Sequence, residues 1–432
     1  MNLTRPLLIR AGRLLDPAAG RDEVADLLLA EGLVAGIGGT PPRDVEVFEA
    51  AGLCVFPGFI DLHAHLREPG REYAETIATG LAAAAAGGFT AVCAMPNTEP
   101  VNDSRPITEY IAAKARGEAG TRLYPIGAIT KGQRGEELAE FGEMRVAGAV
   151  AVSDDGRWLS DGSLLRHAFE HARLFGIPVV QHAEDSTLSH GAPMHEGAVS
   201  TRLGLAGQPA IAEAAAVARD LLIAEVSHGR LHVAHVSTGR TIELVRGARG
   251  QGIAVTCEVT PHHLILTDEE VARSGFSTNA KMNPPLREAA DQESLIAALN
   301  DGTIDAVATD HAPHHEDEKA VDFDTAPFGI VGLETAVSLV HDRLVLSGRL
   351  PLTRFVEVFS SSPAKAFGLP GGTLSPGAPA DVTLFDPRRR WRVEAARFLS
   401  LSRNTPFEGW ELTGAPVATV VGGRVVWRRM DG

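Results

Sequence analysis

Cysteine is nearly absent from this chain: Cys54, Cys93 and Cys257 are the only three in 432 residues. They lie far apart inside apolar, strand-like runs and form no C-x-x-C pair. That excludes a disulfide framework and a cysteine-ligated zinc module, and predicts buried free thiols in a reducing compartment. Lysine is scarce too, at Lys114, Lys131, Lys281, Lys319 and Lys365 only, so none falls between 131 and 281. Long apolar runs are missing. The best candidate, Leu81–Ala86, is alanine-rich and closed by Gly87-Gly88, far short of the about 20 residues a membrane helix needs. The opening MNLTRPLLIRAGR has too short an apolar stretch for a secretory signal, so a cytoplasmic protein is expected. There is no excess of positive charge. A formal net charge of −15 argues against non-specific binding to nucleic acid or to an anionic membrane. Nor is there a dinucleotide loop: AGIGGT and GLPGGTLSPG are turn material, and neither puts G-x-G-x-x-G between a strand and a helix.

What is present is an ordinary globular composition, 44% hydrophobic and 22% charged. The first fifty residues read as short strands with turns, as in LLIRAGRLLD and LVAGIGG, and the C-terminal DVTLFDP, VATVVGG and RVVW share that texture. Between them, eight apolar runs read as buried parallel strands: LCVFPGFIDLH, TAVCAMPN, RLYPIGAI, GAVAVSDD, IPVVQHAE, LHVAHVS, IAVTCEVTPHH and DAVATDH. Amphipathic segments separate several of them, including Glu72 to Ala86, Ser163 to Phe175, Pro209 to Val226 and Gln292 to Leu299. Repeated strand-helix units predict an α/β fold, a TIM-type (β/α)8 barrel with its site at the C-terminal strand ends. The two termini are expected to pack together as a small β-sandwich. The division is 1–54 and 369–432 for the sandwich and 55–368 for the barrel.

The first run ends in PGFIDLHAHLREPG, with Leu53 to Ile60 read as a buried strand. Side chains alternate along a strand, so His63 and His65 point the same way and can chelate one ion. Taken alone, H-x-H is as often a pair of solvated loop histidines. The pattern recurs, however. Asp154 and Asp155 end the fourth run, His182 the fifth, His235 the sixth and Asp310 the eighth. A barrel would converge these side chains. Two imidazoles with two carboxylates suit one zinc, and two further imidazoles sharing a carboxylate suit a second. The product would be a hydroxide nucleophile at neutral pH. Strand parity leaves open which of Asp154 and Asp155 is shared. Other histidines are read as structural. His167 and His171 sit on an amphipathic helix without the HExxH glutamate, His232 faces away from His235 by strand alternation, and His262 and His263 are neighbours that cannot both face the pore.

These motifs resemble the bacterial class I dihydroorotases of the amidohydrolase superfamily, almost end to end. The resemblance runs through DLHAHLREPG, AMPNTEPV, SDDG, VVQHAE, VAHVST, TPHHL, KMNPPLR, ATDHAPH, APFGIVGLET, GTLSPGAPADVTLFDP and SRNTPFEGW. Its most specific element is H-x-H-x-R-x-P-G, because relatives acting on hydantoins or allantoin usually lack that arginine. The resemblance implies two zinc ions per chain. His63, His65 and Asp310 would bind the first, His182 and His235 the second, and Asp155 would bridge them, leaving Asp154 to cap a loop or support from outside. Asp310 would shuttle the proton for a bridging hydroxide. Arg67, Asn97 and His314, with His65, would hold the substrate carboxylate. Asn283 and the backbone at Phe328-Gly329 would contact the substrate ring. The implied reaction is the reversible cyclisation of N-carbamoyl-L-aspartate to L-dihydroorotate in pyrimidine biosynthesis. A homodimer and a complex with aspartate transcarbamoylase are the partners the resemblance allows. The competing readings are an allantoinase or hydantoinase, against which Arg67 speaks, and a non-catalytic scaffold for the transcarbamoylase, which would be free to lose its ligands.

Overall fold

The computed structural model describes residues 5–117 and 120–430. The outer ends of the two terminal segments, 1–4 and 431–432, lie outside the described residues. The eight apolar runs each contribute a strand of one sheet, labelled here β1 (Phe59–Ala64), β2 (Phe89–Ala94), β3 (Arg122–Gly127), β4 (Ala151–Ser153), β5 (Val179–Gln181), β6 (Leu231–Val233), β7 (Val255–Val259) and β8 (Ala306–Val307). Neighbours pair in parallel in chain order. A parallel bridge between Ala64 and His311 brings the last strand back to the first. Helices fill the crossovers, among them Ile77–Ala86, Gly162–Leu174, Ile211–Ser227 and Ala289–Asp301.

Alternation along these strands separates two cores. Ile60, Leu62, Ala91, Cys93, Ile126, Ala151, Val180 and Ala306 form one cluster with Phe367, the layered interior of a barrel. Phe59, Phe89, Val92, Val152, Val179, Leu231 and Val233 belong to another, shared with the helices. The three cysteines are free and buried. Both termini build a second, eight-stranded sheet, in which Leu7–Asp16 pairs with Cys54–Pro57, and that strand with Val382–Arg392. It has its own core around Leu14, Leu27, Val55 and Leu384.

Two sequence expectations need correction. The run from Leu53 to Ile60 is not one strand. Cys54–Pro57 joins the terminal sheet, and β1 starts at Phe59. The break falls at Gly58, where a Cβ would sit 2.2 Å from the Thr90 hydroxyl, so only glycine lets the chain pass between sheets this close to β2. Phe56 and Phe59, either side of the break, stack at 5.6 Å and lock the sheets together with Phe355 and Phe385. The helix expected from Glu72 instead starts at Ile77. Thr76 caps it reciprocally with Thr79, which satisfies the first free N–H groups and ends the preceding turn.

Candidate active site

At the C-terminal ends of the barrel strands, six side chains from five strands meet. His63 Nε2 lies 3.4 Å from Asp155 Oδ1 and 3.5 Å from Asp310 Oδ1. His65 Nε2 is 3.2 Å from Asp310 and 3.4 Å from Asp155 Oδ2. Across the mouth, His235 Nε2 is 3.5 Å and His182 Nδ1 3.7 Å from Asp155 Oδ1, and those two nitrogens are 3.0 Å apart. Two sets of potential ligand atoms fall within reach of a single ion: His63, His65 and Asp310, and His63, Asp155 and His235. All six residues are buried.

Three of the four imidazoles are held from behind. His63 Nδ1 is 2.7 Å from Glu258 Oε1, His65 Nδ1 is 2.7 Å from Asn97 Oδ1, and His182 Nε2 is 3.2 Å from Glu184 Oε2. An acceptor on the outer nitrogen fixes the proton there and leaves the inner lone pair for a metal. At the centre, His63 Nε2 and Asp155 Oδ1 are buried without a hydrogen-bond partner. Buried polar atoms are rarely left so, and neutral imidazoles around two carboxylates are the donor set of a divalent metal. The electrostatics agree. Burial pushes the Asp155 carboxyl up, but His63, His182 and His235 outweigh it and hold it well below the usual range. For His63, burial favours the neutral ring, yet Asp155 and Asp310 draw positive charge to it. Positive charge is what this centre calls for, and the residues fit a metal.

Asp154 and Asp155 point apart. Asp154 accepts from the Ile129 and Thr130 N–H groups at 2.9 and 3.0 Å and from the Thr130 hydroxyl at 2.5 Å, which pins the loop after β3. Asp155 turns inward, on the same parity as Ala151 of the interior cluster. Lys131 stays outside, paired with Glu137. His167 and His171 are exposed on the helix Gly162–Leu174. His262 and His263 lie on a short helix, Pro261–Ile265, rather than on a strand.

His232 does not face away from His235, as alternation implied. Its Nε2 is 3.1 Å from Glu258 Oε2, on the carboxylate that also holds His63. Parity fails because β6 ends at Val233 and His235 adopts φ +33°. Arg67 (φ +59°) and Asp310 (φ +45°) share that left-handed region. It is costly for non-glycine residues, at about 1–3 kcal/mol each, and is typical of functional sites.

The substrate-side residues gather at the rim. Arg67 is buried and donates from Nε to the Pro313 carbonyl at 3.1 Å. Burial and Arg71 pull its guanidinium down to about 10, which leaves it charged. His314 donates from Nε2 to the Phe328 carbonyl at 2.8 Å, and burial, with Arg67 next, pulls it down to about 3, so it is neutral. Asn283 Nδ2 reaches Glu184 at 2.7 Å and His182 at 3.1 Å. Gly329 has φ +149°, and a Cβ there would meet the Ala312 carbonyl at 2.7 Å. Its N–H and carbonyl are taken by Lys281 and Asn404. Among the described residues, the Phe328 N–H makes no hydrogen bond.

Four residues were not anticipated: Glu258, Glu184, Asn404 and Glu75. Asn404 stitches the rim together by bonding the Ala312 and Gly329 carbonyls and the His314 N–H. Glu75 holds His311, beside Asp310, at 3.1 Å. Glu258 had one visible signal, a lone carboxylate inside the apolar run IAVTCEV.

A parallel barrel with a histidine-aspartate metal site at its C-terminal strand ends defines a metal-dependent hydrolase of the amidohydrolase type. The L-hydantoinase of Arthrobacter aurescens has the same fold, with a TM-score of 0.88, 29% identity and coverage of 98% of this chain and 96% of its own. A D-hydantoinase from Thermus sp. superposes with a TM-score of 0.82 at 27% identity, covering 98% and 95%. The sequence narrows the class. Residues 52–241 match the family described as Dihydro-orotase-like. The dihydroorotase of Anaeromyxobacter dehalogenans is 53% identical over 422 residues, 97% of each chain. That of Geobacter metallireducens is 51% identical over 425 residues, 98% of this chain and all of its own. The chain belongs to the dihydroorotase family.

Proposed function

We infer that this enzyme is a dihydroorotase, closing N-carbamoyl-L-aspartate to L-dihydroorotate and reopening it, in the formation of the pyrimidine ring. The observation that carries the substrate is Arg67, a buried, charged guanidinium beside the histidine-aspartate cluster with only its Nε engaged among the described residues. A hydantoin or allantoin has no carboxylate beside the ring to meet it. Dihydroorotate has.

Arg67 and Asn97 bind that carboxylate, a charge-assisted contact worth about 1.5–3 kcal/mol. His314, neutral and tied to Phe328, shapes the same subsite, and the Phe328 N–H and Asn283 face the ring. A zinc pair would be held by His63, His65 and Asp310 for one ion and by His182 and His235 for the other, with Asp155 available to both. When bound, they supply a polarised carbonyl and water whose pKa falls to about 7. Asp310 moves the proton. Burial raises its carboxyl, but His63 and His65 outweigh burial and keep it ionised at rest, ready to accept. In ring opening it takes a proton from the attacking water as the carbon–oxygen bond forms. It returns that proton to the ring nitrogen as the carbon–nitrogen bond breaks. Cyclisation is the reverse. Proton transfer of this kind contributes about 10²–10⁴ in rate.

The terminal segments 1–54 and 369–432 flank the catalytic barrel 55–368 in this reading, except that Cys54–Pro57 sides with the terminal sheet. Free buried thiols support a cytoplasmic location. Among the described residues no helix is long and apolar enough to cross a membrane. A homodimer and a complex with aspartate transcarbamoylase rest on the family resemblance alone.

The test is ring opening of dihydroorotate by the purified, zinc-loaded protein, with hydantoin and allantoin as competitors. Turnover of dihydroorotate above both is expected, and Asp310→Asn should lower it by at least about a hundred-fold. A preference for hydantoin, or no turnover even with aspartate transcarbamoylase added, would sink this reading.

A further inference from the structure

Glu184, which takes no part in the proposed chemistry, links the metal cluster to the substrate rim. It stands two residues after His182, in the loop that leaves β5. Its Oε2 takes two donors from different loops, Asn283 Nδ2 at 2.7 Å and His182 Nε2 at 3.2 Å. Its Oε1 accepts from the hydroxyl of Ser189, on the short helix Ser186–Ser189. Both oxygens are committed, and the carboxylate is held from three sides. Burial raises its pKa, but His182, Asn283 and Ser189 outweigh burial and keep it ionised.

That arrangement decides which way round the Asn283 amide lies. An ionised carboxylate accepts hydrogen bonds and donates none, so the end of the amide facing Glu184 is its NH₂. Turned round, the amide oxygen would lie against a carboxylate oxygen. With the His182 proton on Nε2, the 3.1 Å between that nitrogen and Asn283 Nδ2 is the spacing of two donors sharing one acceptor. Among the described residues, Asn283 Oδ1 accepts no hydrogen bond. The backbone around it is pinned. The Lys281 carbonyl takes the Gly329 N–H at 3.0 Å, and the Pro284 carbonyl lies 2.9 Å from His263 Nε2. The first of these bonds joins the asparagine's segment to that of Phe328, whose N–H is also unbonded among the described residues. The rim thus offers an acceptor and a donor on adjoining segments, the complement of the –NH–CO– edge of a cyclic amide.

We propose that Glu184 is a positioning residue that fixes the polarity of Asn283, so that the asparagine offers its oxygen to a ring N–H of the substrate. This rests on the proposed placing of Asn283 against the substrate ring. Released from Glu184, the amide is free to turn, and its NH₂ then meets the ring N–H donor to donor. A polar site rejects such a mismatch strongly, because both donors lose water without gaining a partner. The loss is one of substrate binding, so it falls mainly on KM.

A polarity swap tests this, with kcat and KM measured on the full-length protein at saturating zinc. Asn283→Asp sets two carboxylates face to face and should lower kcat/KM for dihydroorotate by at least about ten-fold. Glu184→Gln still accepts through its amide oxygen and should lose less. Combining Glu184→Gln with Asn283→Asp reverses the bond. The new amide donates to the new carboxylate, which also receives the His182 N–H and still turns an oxygen to the ring. The pair should regain about five-fold or more over Asn283→Asp alone. A folded pair no better than Asn283→Asp alone would overturn the proposal. If circular dichroism shows the pair unfolded, a cycle of Glu184→Ala and Asn283→Ala decides. Rises in KM that multiply would overturn the proposal, and no further rise with the second change would uphold it. The parent's turnover of dihydroorotate against hydantoin reports the substrate assignment separately, and the swap is measured on whichever ring the parent opens.

Discussion

Glu258 offers a sharp test of how the metal centre is held. Its carboxylate is buried between His63 Nδ1 at 2.7 Å and His232 Nε2 at 3.1 Å. Burial pushes the carboxyl up, but the hydrogen bonds from His232 and His63 outweigh it and bring it down to about 2, so it is fully ionised. An ionised acceptor obliges His63 to keep its proton on Nδ1 and to offer Nε2 inward, towards Asp155 and Asp310. Glu258→Gln keeps the shape and removes the charge. With the amide oxygen towards His63, the amide N–H₂ faces His232. That ring can change tautomer, because its Nδ1 lies 2.8 Å from the Thr256 hydroxyl, which donates or accepts. The loss is then the difference between a charged and a neutral hydrogen bond, about 1–1.5 kcal/mol, or roughly ten-fold in metal affinity. This sits at the lower end of the about 10–100-fold expected when a ligand histidine loses its outer partner. Glu258→Ala, which leaves both rings facing a void, should reach the upper end and lower the melting temperature as well. The assay is competition between the apoprotein and a chromophoric chelator for zinc, with circular dichroism as the check on folding. At saturating zinc, most activity should return in Glu258→Gln. A folded Glu258→Gln whose zinc affinity stays within about two-fold of the parent would refute the reasoning.

Arg67→Met should lower kcat/KM for dihydroorotate by about ten-fold or more while zinc content stays normal, because the arginine is no ligand; an unchanged kcat/KM would remove the carboxylate contact. Asp155→Ala should lose bound zinc by metal analysis and most activity, whereas Asp154→Ala, which only releases the loop at Ile129–Thr130, should lose less; full activity in Asp155→Ala would defeat the bridge. Zinc reconstitution should not depend on added bicarbonate, which a carboxylated lysine would need. Lys319 is buried, donating to the Thr278 and Pro327 carbonyls, and burial, with Lys281 next, pulls it down to about 7. Between about pH 7 and 10.4 the unfolded chain therefore binds the proton that the folded chain has released, so this group makes stability rise with pH across that window. Melting curves of Lys319→Met should show a flatter rise there; an unaltered slope would show that Lys319 titrates normally.

The sequence alone determined which residues could do chemistry and roughly where each would stand. Eight apolar runs had to become buried strands because burial of their valine, isoleucine and alanine needs a closed parallel sheet. The polar residues at their ends then had to gather at one mouth. Periodicity is local, so His63, His65, His182, His235 and Asp310 were legible without any contact map. What periodicity cannot see is where a strand stops. Gly58 splits one apolar run between two sheets because of the approach of Thr90, a residue 32 positions away. His235 escapes strand alternation because its backbone turns left-handed after Val233, so it joins His232 on the barrel side instead of facing away from it. Choosing Asp155 over Asp154 rested on family resemblance and a weak parity. The fold separates them by giving Asp154 the N–H groups of another loop. Glu258, Glu184 and Asn404 were out of reach for the same reason: each acts through a partner more than 70 positions distant or at the far side of a turn, and only closure of the barrel makes them neighbours.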